Sequence, residues 1–229
     1  MDDTTDTTWL DGARSVLPIL IGVAPFGLIF GVTAVNSDVP NLAAWASSFI
    51  IFAGAAQLSI IEVLGTGGAA IVAIFTAIVI NSRHLMYSAD MGRYTATEPM
   101  WRKVVMAYLL TDQAYLISSH RFPTPRASAS FSSFYLGAAL TLWVTWQITT
   151  TAGFVLGASV PESWSLEFAI PLVFLALLVV AVKDRPGLVA AVTGGLVALV
   201  AIGLPYHLGL MAGALAGIAA GVASERWTQ

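Results

Sequence analysis

Cysteine is absent from this chain, which excludes disulfides, thiolate metal sites and cysteine nucleophiles. Charge is scarce as well: Asp, Glu, Lys and Arg make up only 10% of the 229 residues, whereas a soluble domain usually carries about 25%. The net charge of −3 gives no indication of nucleic-acid binding. A soluble protein with so little charge would expose large apolar patches and aggregate.

Motifs that mark common enzymes are absent too. The sequence contains no GxxxxGK(S/T), HExxH or GxSxG. Its three histidines, His84, His120 and His207, are too widely spaced to indicate a metal site. We therefore predict that the protein is not an enzyme and that it binds no metal or cofactor.

Apolar residues dominate what is present. Hydrophobic residues make up 57% of the chain, and the mean hydropathy is +0.81. Stretches without any Asp, Glu, Lys or Arg separate Arg14 from Asp38, Asp38 from Glu62, Glu62 from Arg83, Arg126 from Glu162, and Arg185 from Glu225. Each stretch is long enough for a membrane helix of roughly 20 residues, and the last is long enough for two. Strands are disfavoured because period-2 alternation is missing, and helices satisfy all of their backbone groups within one segment in lipid.

These stretches predict an all-α fold, a polytopic transmembrane helix bundle in a single domain with about seven or eight membrane segments. The predicted segments are Ser15–Val35, Leu42–Leu64, Gly68–Asn81, Val104–Ser118, Phe131–Leu156, Phe168–Val182, Leu188–Leu204 and Tyr206–Ala223. The transmembrane domain spans 15–224, between a disordered acidic tail at 1–14 and a cytoplasmic tail at 225–229.

The count depends on Val104–Ser118, which is short, contains Asp112 and has basic residues on both sides. If this segment crosses, eight segments span the membrane and the N-terminus is inside; if it is re-entrant or interfacial, seven span and the N-terminus is outside. Lys183 and Arg185 mark their loop as cytoplasmic, whereas the Ala158–Glu167 loop has acidic residues and no basic ones. We therefore predict a multi-pass protein of the plasma (inner) membrane with a cytoplasmic C-terminus.

Two short glycine motifs resemble each other. GLIFG at 27–31 precedes Val39-Pro40, and GFVLG at 153–157 precedes Val160-Pro161. An inverted repeat, a common construction in transporters, would produce this similarity. Small residues four apart are also ordinary packing devices in helix bundles. From the sequence both explanations stay open.

Helix-breaking and polar residues inside the apolar segments are candidates for a solute site. The first segment contains Pro25 and Gly27. Proline inside a membrane helix frees carbonyl groups of the preceding turn, so we expect a broken helix there, with a kinked packing helix as the alternative. The second segment carries Gly54 and Gln57, and a buried glutamine side chain donates and accepts hydrogen bonds at once.

A denser polar group ends the third segment. Asn81, His84 and Tyr87 are three apart and therefore lie on a similar helix face. Asn81 and Arg83 are suited to hold a carboxylate, and His84 to titrate near neutral pH, although Arg83 at a helix end is also a common topology anchor.

The fourth segment contains one carboxylate, Asp112, which costs roughly 2.5–3.5 kcal/mol if it is deep in lipid. Asp112 is then a candidate proton carrier, ammonium ligand or ion-pair partner, and otherwise a partly hydrated side chain.

The last segment carries a stripe of glycines at four-residue spacing, which we call the glycine stripe. Its members are Gly209, Gly213, Gly217 and Gly221. At 3.6 residues per turn they form a nearly continuous seam, which predicts close helix packing. The partner helix could belong to this chain or to a second subunit.

Four motifs, in this order, carry a resemblance to a known family: PFGLIFG, FAGAAQ, NSRHLMYSADM and LTDQAY. They resemble the AzlC family over nearly the whole chain, from about Val16 to Val222, and NxRHxxY following GAxQ is the specific part. Many members of that family are expected to have an acidic residue where TDQAY has Gln113.

The resemblance implies the large subunit of an exporter of valine, leucine and isoleucine, and sometimes methionine, that works with a small hydrophobic subunit of the AzlD type. The predicted substrate-binding residues are Pro25, Gly27, Gly54, Gln57, Asn81 and His84. Rings such as those of Phe26, Phe30 and Phe52 would receive the aliphatic side chain of the substrate. Asp112 or His84 would carry a proton that couples export to the proton gradient.

The competing interpretation is a membrane scaffold or assembly subunit that docks a partner through the glycine stripe. It predicts that polar residues inside the helices are replaceable, whereas the transporter interpretation predicts that both the polar residues and the stripe matter. An intramembrane enzyme is disfavoured because no nucleophile–base or metal constellation is visible.

Overall fold

The computed structural model describes residues 7–124, 129–157, 182, 184–204 and 208–227. These residues form ten helices and contain no strand, so the predicted all-α class is confirmed for this part of the chain. The chain divides into two compact units, unit 1 (Met1–Trp164) and unit 2 (Ser165–Gln229). The predicted bounds of the transmembrane domain, 15–224, stay a prediction.

Unit 1 contains the longer series of described helices. They are α1 (Trp9–Val35), α2 (Asn41–Ile50), α3 (Gly54–Gly65), α4 (Ala70–Asn81), α5 (Arg83–Tyr94), α6 (Met100–Tyr108), α7 (Asp112–Arg121) and α8 (Ala129–Gly157). Unit 2 contains α9 (Arg185–Val200) and α10 (Leu208–Trp227). The predicted Ala158–Glu167 loop lies outside the described residues. So does the predicted segment Phe168–Val182, apart from Val182.

By length and composition, one helix within the described ranges, α1, can cross a membrane unaided. The α4–α5 pair passes the same test only when the two helices are taken together, and the axis bends by 40° at their junction. Helices α3 and α9, and the part of α10 from Ala212 to Glu225, are apolar but shorter. The predicted count of seven or eight membrane segments is therefore not confirmed.

Helix breaks do not fall where the sequence predicts them. Leu42–Leu64 divides into α2 and α3, and Val104–Ser118 divides into α6 and α7. The first segment is instead one continuous helix that runs through Pro18 and Pro25, so the break predicted at Pro25 is wrong. A proline removes only one backbone hydrogen bond, and neighbouring helices in a bundle support the helix on both sides of it.

The long helices α1 and α8 pack along most of their length, with glycine backbones at the contact. A Cβ on Gly137 would overlap the carbonyl oxygen of Trp9, and a Cβ on Gly153 would overlap that of Leu28. Residue numbers rise together along the contact, so the two helices run parallel. This close approach needs glycine because any side chain would push the backbones apart.

The parallel arrangement overturns the inverted-repeat explanation of the glycine motifs. GLIFG at 27–31 and GFVLG at 153–157 lie side by side, since a Cβ on Gly31 would be 2.9 Å from the carbonyl carbon of Gly153. An inverted repeat would place equivalent helices antiparallel. The shared glycines therefore serve the packing of α1 on α8.

The apolar core of unit 1 lies between α1, α5, α6, α7 and α8. The Tyr94 ring stacks on Phe131 with centroids 4.2 Å apart, and its hydroxyl donates to the carbonyl oxygen of Phe122 at 2.9 Å. Tyr135 likewise donates to the carbonyl oxygen of Met106 at 2.9 Å. These bonds satisfy carbonyl groups at helix ends, so the two buried tyrosines fix the short helices against α8.

In unit 2 the glycine stripe of α10 packs against α9. A Cβ on Gly217 would lie 2.7 Å from the carbonyl oxygen of Ala190, and a Cβ on Gly213 would lie 2.6 Å from that of Gly194. The other two stripe glycines also meet residues of α9 or the residue that directly follows it. Of the two partners that the sequence leaves open, the structure places a helix of this chain at the stripe.

Large apolar side chains cover the outer faces of several helices. On α4 the exposed ones are Ile71, Ile74, Phe75, Ile78 and Val79. On α9 they are Leu188, Val189, Val192, Leu196, Leu199 and Val200. Soluble monomers rarely expose contiguous apolar patches, whereas such faces are stable against lipid tails.

Candidate functional site

The interruption between α2 and α3, which we call the helix break (51–53), is held in shape by one glutamine. Gln57, in the first turn of α3, is fully buried. Its Oε1 accepts a hydrogen bond from the backbone N–H of Ala53 at 3.0 Å. Its Nε2 donates to the hydroxyls of Ser47 at 3.0 Å and Ser48 at 3.3 Å. The side chain therefore ties the first turn of α3 to the last turns of α2.

Phe52 in the helix break has a left-handed backbone, with φ +41°. Bulky residues rarely adopt this conformation, which costs about 1–3 kcal/mol and persists only where the surroundings hold it. The Phe52 side chain is buried, and its ring centroid lies 6.4 Å from that of Tyr108. Backbone strain of this kind clusters at functional sites, so the break is a candidate site on this ground as well.

Helix α8 supplies a second set of polar groups at the helix break. Gln147 donates from Nε2 to the carbonyl oxygen of Ser48 at 3.0 Å. Gln147 Oε1, Thr150 Oγ1 and Trp146 Nε1 are buried and have no hydrogen-bond partner among the described residues. None of the three residues is predicted from the sequence, because the signal for them is only a polar side chain within a charge-free stretch.

Aromatic rings cover the N-terminal end of α3. The ring centroids of Phe26 and Phe30 lie 5.5 Å and 5.6 Å from that of Trp146. A Cβ on Gly54 would be 2.7 Å from ring atoms of both Phe26 and Trp146, and a Cβ on Gly27 would lie 3.4 Å from the Trp146 ring. The predicted residues Gly27 and Gly54 therefore meet on one aromatic cluster.

A second polar cluster, which we call the ion-pair cluster, joins the α4–α5 junction to the start of α7. Asp112 Oδ2 lies 2.8 Å from Arg83 Nη1, and Asp112 Oδ1 lies 3.9 Å from His84 Nε2. The Arg83 and Asp112 side chains are 42% and 25% exposed. Asn81 Oδ1 and Asp112 Oδ1 are buried acceptors without a hydrogen-bond partner in the described part of the chain. The cluster thus combines a permanent cation, a carboxylate, an imidazole and two unused acceptor atoms.

Further contacts hold α5 against α7 beside this cluster. The rings of Tyr87 and Tyr115 stack with centroids 4.4 Å apart, and the Tyr115 hydroxyl donates to Asp90 Oδ2 at 3.0 Å. Asp90 also pairs with Arg93 on its own helix. These contacts keep the start of α5 facing Asp112.

Tyr108, the last residue of α6, connects the helix break with the ion-pair cluster. Its hydroxyl donates to the carbonyl oxygen of Phe49 in α2 and accepts from Trp143 Nε1 at 3.0 Å. From Tyr108 the chain passes through Leu109–Thr111 directly to Asp112, where α7 begins. One short segment therefore links the two sites along the chain.

The structure brings together only some of the predicted site residues. His84 meets Asp112, and Gly27 meets Gly54 through the aromatic cluster. Pro25 is exposed on α1, and its role in substrate binding stays a prediction. Within the described residues no three His, Cys, Asp or Glu side chains gather as a metal site would require.

Interrupted helices with buried polar groups are a construction typical of membrane transporters. The fold and the site fit a helical membrane protein of the transporter type. A family model described as AzlC protein matches residues 18–160. The chain belongs to the AzlC family, whose members are large subunits of branched-chain amino acid exporters.

Relatives from three organisms support the membrane location. The chain is similar to the inner membrane protein YgaZ of Escherichia coli (strain K12), with 24% identity over 96% of this chain and 92% of that protein. An uncharacterized membrane protein of Archaeoglobus fulgidus is 31% identical over 87% of this chain and 88% of its own length. One of Helicobacter pylori is 24% identical over 85% and 84%, respectively. No solved structure matches the chain.

Proposed function

We propose that the chain is the large subunit of a secondary transporter that exports valine, leucine and isoleucine, with methionine as a further candidate substrate. It works in the plasma (inner) membrane, with a cytoplasmic C-terminus and a small hydrophobic AzlD-type subunit, and the proton gradient drives export. The observation that carries the proposal is the ion-pair cluster, where Asp112 meets Arg83 and His84 at a helix junction. A carboxylate is costly within a bilayer, and such residues commonly serve proton or substrate movement.

Asp112 is the proposed proton carrier. As a carboxylate it pairs with Arg83 at 2.8 Å. Protonation removes most of this attraction and releases Arg83. The protonated and deprotonated states differ by one ion pair between α5 and α7. The proton gradient can therefore shift the balance between two arrangements of these helices. His84, 3.9 Å from the other carboxylate oxygen, is placed to relay the proton.

The substrate is a zwitterion whose ammonium group needs acceptors and whose carboxylate needs donors. Asn81 offers a buried Oδ1 that has no partner in the described residues, and we propose that it accepts a hydrogen bond from the ammonium group while the substrate passes the ion-pair cluster. Gln57 uses its amide for three hydrogen bonds within the helix break, so we assign it a positioning role. Phe26 and Phe30 provide apolar surface beside the break for the aliphatic side chain.

Efflux of radiolabelled leucine from preloaded cells that lack their own exporter tests this proposal. Strains would express the chain alone, the small subunit alone, or both. We expect efflux that needs both chains and that a protonophore abolishes. If cells with a stable complex in their membrane export no branched-chain amino acid, the proposal is wrong.

Two site variants sharpen the assay. Asn81→Ala and Asp112→Asn should each slow efflux, measured per molecule in the membrane, about ten- to a hundredfold, because a hydrogen bond to a charged group contributes about 1.5–3 kcal/mol. Asp38→Asn is the matched control, since Asp38 is an exposed carboxylate in a connecting loop. Equal efflux from all three variants would remove the site assignment.

The scaffold interpretation is less well supported by the part of the chain that the structure describes. It requires the glycine stripe as a docking surface for a partner. That stripe is covered within the chain, because Gly217 packs against Ala190 of α9.

A further inference from the structure

Three side-chain atoms on neighbouring turns of α8 are buried without a hydrogen-bond partner in the described ranges: Trp146 Nε1, Gln147 Oε1 and Thr150 Oγ1. Their residues are 4%, 8% and 0% exposed. Buried polar atoms are nearly always paired in native proteins, because an unpaired one loses its bond to water without replacement. Three such atoms together point to a ligand that pairs with them.

Two of the three residues contact the helices that flank the helix break. Gln147 reaches the carbonyl oxygen of Ser48 in the last turn of α2. The Trp146 ring lies against Gly54, the first residue of α3. Thr150 follows these two residues by one helical turn and therefore lies on their side of α8. Helices α2, α3 and α8 thus meet around the residues that carry the unpaired atoms.

Their chemistry is complementary to an α-amino acid. The Trp146 N–H can only donate, Gln147 Oε1 can only accept, and the Thr150 hydroxyl does both. The first turn of α3 adds backbone N–H groups at the positive end of a helix dipole. The rings of Phe26 and Phe30 border Trp146 and add an apolar wall.

We propose that α8 and the helix break form the binding site for a zwitterionic amino acid with an aliphatic side chain. Gln147 Oε1 and Thr150 Oγ1 accept hydrogen bonds from its ammonium group, and Trp146 Nε1 and the start of α3 donate to its carboxylate. This inference rests on the proposed function and deepens it by naming the residues of the substrate site.

The site is closed in this structure, because its three polar residues are almost inaccessible. Substrate therefore reaches it only when the helices move apart. The strained Phe52 backbone and the Gln57 bonds lie at the point where α3 would swing away from α2. Half-helices that move around a midplane site are a known construction in secondary transporters.

Equilibrium binding of radiolabelled leucine to the purified two-subunit complex tests the site. Thr150→Val keeps the shape of the side chain and breaks no hydrogen bond of its hydroxyl within the described ranges, so the variant should fold as well as the wild type. Thr150→Ser keeps the hydroxyl. Ser132→Ala is the matched control, because Ser132 near the start of the same helix, away from the break, carries another fully buried hydroxyl that has no partner among the described residues.

We expect Thr150→Val and Trp146→Phe to weaken leucine binding about tenfold or more, the effect of one lost hydrogen bond to a charged group. Thr150→Ser and Ser132→Ala should bind like the wild type, and these two variants and Thr150→Val should show wild-type thermal unfolding. Trp146→Phe loses ring contacts with Phe26 and Phe30 and should unfold at a lower temperature. If Thr150→Val and Trp146→Phe bind leucine with unchanged affinity, the site is overturned while the proposed function stands. If the wild type neither binds nor exports leucine, the proposed function fails and this site fails with it.

Discussion

Gly31 of α1 lies so close to Thr150 of α8 that a Cβ on Gly31 would overlap the Thr150 carbonyl oxygen. The obstacle is backbone, which cannot rotate away as a side chain can. The spacing of α1 and α8 therefore depends on glycine at this level, and the same turn of α8 carries the Thr150 hydroxyl of the proposed substrate site.

Gly31→Ala should lower the free energy of unfolding by about 1–3 kcal/mol, because the helices must separate to admit the methyl group. Gly22→Ala on the same helix is the control, since a Cβ there meets no described atom within 4 Å. It should raise stability by about 0.5–1 kcal/mol through helix propensity. Thermal unfolding in detergent measures both, and a similar shift in the two variants would contradict the packing account.

Gln57→Leu should destabilise unit 1, because it leaves the Ala53 N–H and two serine hydroxyls without their bonds to Gln57. An unsatisfied buried group costs about 1–3 kcal/mol. Ser59→Ala, which removes only a bond to the carbonyl oxygen of Ala55 within α3, should change stability little. Equal unfolding temperatures for the two variants would show that Gln57 does not hold the helix break.

Membrane yield and leucine efflux should depend differently on the two charges of the Arg83–Asp112 pair. Asp112→Asn and Arg83→Gln each leave one charge unpaired, so both should lower the yield of folded protein in membranes. The double variant removes both charges and should recover the yield but not leucine efflux, because its proton carrier is gone. Membrane yield and efflux measured in the same cells distinguish these effects. Normal efflux from the double variant would exclude Asp112 as the coupling residue.

In unit 2, Gly217→Ala and Gly195→Ala should change the stability of the fold in opposite directions. A Cβ on Gly217 meets the Ala190 carbonyl oxygen at 2.7 Å, whereas a Cβ on Gly195 meets nothing described within 4 Å. The first should destabilise the α9–α10 pair, and the second should stabilise α9 by about 0.5–1 kcal/mol. Limited proteolysis of the intact protein reports on unit 2, and greater resistance of the Gly217 variant would contradict this packing.

Some of the site could be predicted from residue chemistry alone. A carboxylate within an apolar segment needs a partner, and Arg83 and His84 end the preceding apolar segment at the densest polar group of the chain. Their meeting with Asp112 follows from the cost of an unpaired charge. The all-helical class follows in the same way from the long charge-free stretches.

The helix breaks could not be predicted because hydropathy reports composition and not backbone continuity. Ile51–Ala53 is as apolar as its surroundings and contains neither glycine nor proline, yet the chain turns there. Pro25 gave the opposite error, because packing of α1 along α8 keeps that helix continuous. The role of Gln147 at the helix break could not be predicted, because it depends on the contact with Ser48, which only the folded structure defines.

Leucine flux from lipid vesicles that contain only the purified chain and its small subunit tests the central claim most directly. Vesicles loaded with radiolabelled leucine would be placed in acidic or alkaline medium. Proton-coupled export predicts that leucine leaves faster when protons can flow inward from an acidic medium, and that Asp112→Asn or a protonophore removes this acceleration. Loss of leucine no faster than from protein-free vesicles, under either gradient and with a folded complex present, would contradict the account.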